Sequence, residues 1–219
     1  MPLNCKINID EFSKGDKSCG GCNICQPYSA LRYPFQRDLA NSEGLVKELE
    51  KFIHESTGLL VSKTTVHENP DLLVRDSNGK LIARVEAKYL EGKAFMKAAK
   101  ILGEPLFPKE TLVVDTPKLL SYFSCKEIDL REQGRNIPIY VVWKFDRPCA
   151  DVGGICVYQE VNILKSIYQL KKTVRSYTRQ TGQGDFVDGI KRGVTDKFHF
   201  SISECLPIEK LPANILQHL

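Results

Sequence analysis

The sequence predicts an α/β protein, one sheet domain with an N-terminal appendage. Three observations predict it. Leu45, Val46, Leu49, Phe52 and Ile53 recur at helical spacing. Runs of β-branched and apolar residues follow, two of them joined by Asn78-Gly79. Later, Ile137–Phe145 (Ile-Pro-Ile-Tyr-Val-Val-Trp-Lys-Phe) is almost wholly apolar, as suits a strand buried on both faces. The chain has 219 residues, 42% hydrophobic and 26% charged, an ordinary globular composition that excludes a disordered chain or a coiled-coil rod. A core of this size needs no staples for stability.

The elements follow in order. Residues 1–40 carry little apolar periodicity and hold several glycines and prolines, so they need a metal or a neighbour to order them. Ser42–Ser56 is a helix, capped by Asn41 or Ser42 and stopped near Gly58. Leu59–Val66 and Asp71–Arg75 are strands. After the Asp76–Gly79 turn comes Leu81–Tyr89, with Ala83, Val85 and Ala87 on one face and Arg84, Glu86 and Lys88 on the other. Lys93–Leu102 reads as a short helix, Leu112–Val114 as a strand and Pro117–Phe123 as a helix with proline in its first turn. Ile137–Phe145 and Ile155–Val161 are strands, and Asn162–Arg175 is a helix. Thr178–Gly193 is a glycine-rich loop, and Lys197–Glu204 alternates like a half-buried strand.

Glu86 and Lys88 are i and i+2, so they leave the same face of their strand. The hairpin brings Asp71, after Pro70, alongside them. Two carboxylates and an ammonium converging on one spot suit phosphodiester hydrolysis. Two carboxylates can hold Mg²⁺, a hard cation that prefers oxygen and keeps waters for a phosphate. The metal activates a water. Lys88 can orient that water or stabilise charge building on the phosphate. The backbone carbonyl of Ala87 can add a ligand.

Pro70-Asp71, fourteen intervening residues and then Glu86-Ala87-Lys88 resemble the motif of the PD-(D/E)xK nuclease superfamily. The resemblance covers roughly residues 42–146. It implies a restriction-endonuclease-like αβββαβ core with a mixed central sheet, and catalysis by Asp71, Glu86 and Lys88. It also implies a further acidic residue on the first helix. Glu48 and Glu50 both flank the apolar stripe, and Glu48 is preferred. The activity implied is that of a Mg²⁺-dependent endodeoxyribonuclease, most like a type II restriction endonuclease, acting on double-stranded DNA as a homodimer. A repair or branched-DNA nuclease shares this core. A DNA-binding or assembly protein without activity and a metal-cluster redox protein are the alternatives from other classes.

Cys19-x2-Cys22-x2-Cys25 places three of the eight cysteines in seven residues, with Cys5 upstream. Gly20 and Gly21 let the chain fold tightly round an ion. A Cys₄ zinc site is one reading. Iron or an iron–sulfur cluster is the other, since the run matches the start of a cluster-ligand pattern. The expected division is a metal-binding arm over 1–40 and a nuclease domain over 41–219.

From Lys165 to Lys197 there are eight basic residues against three acidic ones, although the whole chain carries only +4. Lys171, Lys172, Arg175, Arg179, Lys191 and Arg192 are the expected DNA contacts. No stretch approaches the ~20 apolar residues of a membrane span, and the first residues lack the apolar core of a secretory signal. A cytoplasmic setting is the expectation.

Overall fold

The computed structural model describes residues 3–18, 35–66, 69–91, 98–146, 152–178, 186–187, 190–191 and 196–219. In chain order the helices are α1 (Ile9–Lys14), α2 (Phe35–Thr57), α3 (Ala98–Ile101), α4 (Thr116–Gln133), α5 (Val161–Arg175) and α6 (Leu211–Leu216). The strands are β1 (Leu60–Lys63), β2 (Leu72–Arg75), β3 (Leu81–Glu91), β4 (Thr111–Asp115), β5 (Ile139–Asp146) and β6 (Cys156–Glu160). They continue with β7 (Ser176–Thr178), β8 (Phe186–Val187), β9 (Ile190–Lys191), β10 (Asp196–Ser201) and β11 (Leu206–Pro207).

A six-stranded sheet runs in the order β1-β2-β3-β5-β6-β11. It is mixed: β3 and β5 are parallel and every other pair is antiparallel. The parallel pair needs a crossover between its strands, and α4 lies in it. Together α2, β1, β2, β3, α4 and β5 reproduce the expected αβββαβ order, with α3 and β4 inserted before α4.

One sheet face is covered by α2 and α6. Leu45, Leu49 and Ile53 of α2 bury against Leu72, Val74, Val85, Tyr140 and Val142. Helix α2 ends where Gly58 takes a left-handed conformation, φ 72°, the usual glycine stop. The other face is covered by α4, α5 and a second sheet, β4-β10-β7. Leu119, Tyr122 and Phe123 of α4 pack there on Ile139, Val141, Trp143 and Phe145, with Phe198 and Phe200 of β10.

The β2–β3 turn closes on Asp76, whose Oδ1 accepts from the N–H groups of Asn78 and Lys80 at 2.9 Å each. Gly79 there has φ 81°, which glycine adopts without strain.

Three elements differ from the sequence reading. Strand β4 joins not the main sheet but β10, more than 80 residues away, a pairing with no local signal. Helix α4 runs ten residues past Phe123. Its inward positions there include Lys126 and Asp129, which are buried in ion pairs with Glu160 and Arg84 and so break the apolar rhythm. The expected loop over 178–193 contains the short strands β8 and β9.

The N-terminal segment over 3–18 packs on the sheet domain. Leu3 and Ile9 are buried, and Asn8 caps α1 through its side chain. Lys17 Nζ lies 3.2 Å from Glu110 Oε2. Helix α2 starts at Phe35.

Candidate active site

Pairing of β2 with β3 sets Leu72 opposite Val85. Carried one step further, that register puts Asp71 opposite Glu86. Leu72 and Val85 face α2, so Asp71 and Glu86 face the other way, toward α4. Lys88 is on the same face, two residues on.

The contacts are short. Asp71 Oδ2 accepts the backbone N–H of Ala87 at 2.8 Å. Lys88 Nζ donates to Glu86 Oε1 at 2.5 Å. Glu86 is 2% exposed, yet its Oε2 has no hydrogen-bond partner among the described residues. Burial pushes the pKa of Asp71 above the usual carboxylate value, and the charge of Glu86 pushes the same way. The Ala87 N–H, Lys88 and Lys118 oppose that shift. Like charges directly opposite on a sheet are unfavourable. Here the Lys88 ammonium bonds Glu86, and the charges of Lys88 and Lys118 only partly offset the burial of Asp71 and its repulsion by Glu86.

The same register puts Pro70 opposite Ala87. In this antiparallel ladder the N–H and C=O of Ala87 both turn toward β2. Proline has no N–H to give, so the Ala87 carbonyl has no ladder donor on that side. The two carboxylates, one of them with its Oε2 unpartnered, and the Ala87 carbonyl would make an all-oxygen donor set. Mg²⁺ suits it, because this ion binds through one or two carboxylates and keeps several waters. Among the described residues no group of three or more His, Cys, Asp and Glu side chains is placed to hold a metal ion.

Helix α4 roofs the site. At one end Asp129 holds Arg84 through two bonds of 2.7 and 2.8 Å. At the other, Lys118 lies near enough to act on the charge of Asp71. Between them Tyr122 comes over Glu86. Its phenol is fully buried and held well above its ordinary pKa by burial and then by the Glu86 charge. Lys118 Nζ sits 5.6 Å above the Tyr122 ring. The junction of β4 and α4 is fixed by Trp143, whose indole N–H donates to Val113 O at 3.4 Å. The sequence reading missed Lys118 and Tyr122. Their only signal was the start of a helix at Pro117.

Glu48 is not brought to this group. Its carboxylate pairs with Lys144, which shares the α2-covered face with Tyr140 and Val142. The sheet therefore separates Glu48 from Asp71 and Glu86. Glu50 lines a surface cleft with Lys47, Lys51 and His54 instead.

The basic residues divide. Arg175 is 5% exposed, and its guanidinium is held at 2.6 Å by both Glu104 and Glu204. It turns inward and leaves the expected DNA-contacting face. Lys171 pairs with Glu104 at 2.7 Å. Lys172 is exposed and forms no ion pair among the described residues. Lys191 belongs to β9, while Arg179 and Arg192 lie outside the described residues.

Of the cysteines, Cys19, Cys22 and Cys25 lie outside the described residues. Cys5 is half-buried and its thiol donates to Ile7 O at 3.2 Å. Burial pushes that thiol's pKa up.

In element order and in the placement of Pro70-Asp71 and Glu86-Ala87-Lys88, the chain resembles the PD-(D/E)xK nucleases. Comparison with solved structures finds Hjc, a Holliday junction resolvase from the archaeal hyperthermophile Archaeoglobus fulgidus, at 11% identity and a TM-score of 0.40. That match covers 79% of this chain and 96% of the other. It also finds D212, a nuclease from a fusselovirus, at 10% identity and a TM-score of 0.44, covering 84% of this chain and 94% of that one. No family model and no curated protein sequence matches the chain. No helix among the described residues is long and apolar enough to cross a membrane.

Proposed function

We propose that the protein is a Mg²⁺-dependent endodeoxyribonuclease. One observation carries the reading: Asp71 and Glu86 face each other on adjacent strands, bound to Ala87 and Lys88, with Glu86 Oε2 buried and unpartnered. Two desolvated carboxylates at a cross-strand position weaken a sheet unless a cation joins them.

Asp71, Glu86 and the Ala87 carbonyl would hold Mg²⁺. When bound, that ion supplies charge for the phosphate oxygens and a more acidic water. The chain's own groups do the rest. Glu86 Oε1 takes one of the three Lys88 N–H donors and fixes the ammonium in place. The two remaining donors are free to meet a phosphate oxygen or to orient the attacking water. Because the pair is mostly buried, the Lys88 charge is less screened than in water. A preorganised donor of this kind is worth about 10²–10³ in rate.

Duplex DNA cut by a dimer, as by a type II restriction endonuclease, is the substrate reading we adopt. Lys172, with Lys191, Arg179 and Arg192, supplies phosphate contacts in it. A zinc ion on Cys5, Cys19, Cys22 and Cys25 would order the start of the chain, and elemental analysis of the purified protein tests that part. The substrate is tested by incubating the protein and Mg²⁺ with genomic duplex DNA and with a synthetic four-way junction, then sequencing the ends. Discrete duplex ends support the restriction reading. Paired cuts at the junction with intact duplex replace it with a branched-DNA nuclease. Binding without cleavage of either overturns the enzyme.

A further inference from the structure

Tyr122 is 0% exposed, yet its hydroxyl has no hydrogen-bond partner among the described residues. A buried donor without a partner is uncommon, because its desolvation is uncompensated. Glu86 Oε2 is a buried acceptor in the same condition. The two belong to one neighbourhood: the phenol is within reach of Glu86, and the charges of Asp71 and Asp115 also act on it. An orphaned donor and an orphaned acceptor thus meet at the carboxylate that the proposed function assigns to the metal.

The ring has little freedom. It is packed in the core with Leu119 and Phe123 of its own helix, and Lys118 lies over one face. The helix itself is tied to β3 by the Arg84–Asp129 bridge. The hydroxyl is therefore delivered to Glu86 by the backbone of α4 rather than by a mobile side chain. Ligands of metals are commonly oriented by such outer partners, whose loss costs about 10–100-fold in metal affinity or activity.

We propose that Tyr122 is a positioning residue that donates to Glu86 Oε2 and holds this carboxylate in the orientation that receives the divalent cation. The inference rests on the metal site of the proposed function. Tyr122 touches neither DNA nor the reacting phosphate in it, and acts only through Glu86. It follows that removing the hydroxyl weakens metal binding before it weakens anything else.

The test uses the full chain and Tyr122→Phe, which keeps the ring and deletes one oxygen. Mn²⁺ binding without DNA is read from the loss of the free-ion electron paramagnetic resonance signal, and thermal melts in EDTA check the fold. Wild type is expected to bind one Mn²⁺ and Tyr122→Phe to bind it about 10–100-fold more weakly, with an unchanged melt in EDTA. Its cleavage should recover when Mg²⁺ is raised by the same factor, which a packing defect would not do. Equal Mn²⁺ affinity, cleavage that stays low at saturating Mg²⁺, or a variant that fails to fold would each overturn the role of Tyr122. If wild type itself binds no Mn²⁺, or if Glu86→Gln binds as well as wild type, the metal site of the proposed function fails instead, and this inference falls with it.

Discussion

Replacing Asp71 with Asn should reverse the order of stabilities between metal-free and metal-loaded protein. Asn matches Asp in size and still accepts the Ala87 N–H, so only the charge is lost. The direction follows from the competing effects on Asp71. Burial and the charge of Glu86 raise its pKa, while the Ala87 N–H, Lys88 and Lys118 lower it, and the net shift is upward. An upward shift means the folded state binds the proton more tightly than the unfolded chain does, so the ionised carboxylate costs stability at neutral pH. That cost is present once pH rises through the raised pKa and is absent below the ordinary value of 3.8. A like-charge pair at a cross-strand position is worth about 1 kcal/mol. For a chain of this size that is roughly 2–4 °C in Tm. In EDTA, Asp71→Asn should therefore melt a few degrees above wild type. Mg²⁺ at ~100 times its Kd adds about 2.7 kcal/mol to a protein that binds it, so wild type should overtake the variant when Mg²⁺ is present. Scanning calorimetry in both conditions at pH 7 reads the crossing. A variant that melts below wild type in EDTA, or gains as much from Mg²⁺, refutes the reasoning.

Three further outcomes are expected. Lys88→Met should lower the cleavage rate by ~10²–10³-fold, as for loss of one preorganised donor, while a filter-binding assay finds DNA affinity kept. Arg175→Met should destabilise the protein by about 1–3 kcal/mol in urea titrations, because Glu204 loses its ion-pair partner in a half-buried place while Glu104 keeps Lys171; a neutral result would return Arg175 to the solvated face. His199 is buried, its Nδ1 lies 3.1 Å from Arg175 O, and burial depresses its pKa to about 4 from 6.5. The unfolded chain then takes up this proton first, so stability should fall by about 3 kcal/mol as pH drops from 6.5 to about 4. His199→Gln should flatten that limb of the stability–pH curve, and an unchanged limb assigns it to other groups.

The legible parts of this molecule are those where local pattern and tertiary role coincide. Leu45, Leu49 and Ile53 could be read as a buried helix face because nothing polar interrupts them. Asp71, Glu86 and Lys88 could be grouped because a short hairpin and the two-residue strand period place them with no distant information. The roof over the site was illegible for the opposite reason. Tyr122 comes near Glu86 because α4 lies over β3 and is tied to it by Arg84 and Asp129, two charged residues whose pairing the sequence does not announce. Arg175 shows the converse. In the sequence it is one cation in a basic run, and only its position between Glu104 and Glu204 turns it inward. Glu48 was placed by resemblance, and the phase of α2 set it beside Lys144, across the sheet.

The central claim is that Asp71, Glu86 and Lys88 form a metal-dependent phosphodiesterase site, and plasmid cleavage tests it most directly. Supercoiled DNA is incubated with wild type and with Glu86→Gln, in Mg²⁺ and in EDTA, and the nicked and linear forms are quantified over time. The account predicts nicked or linear DNA from wild type in Mg²⁺ alone, and intact plasmid in the other three reactions. Cleavage that persists in EDTA, or that Glu86→Gln performs at the wild-type rate, would contradict it.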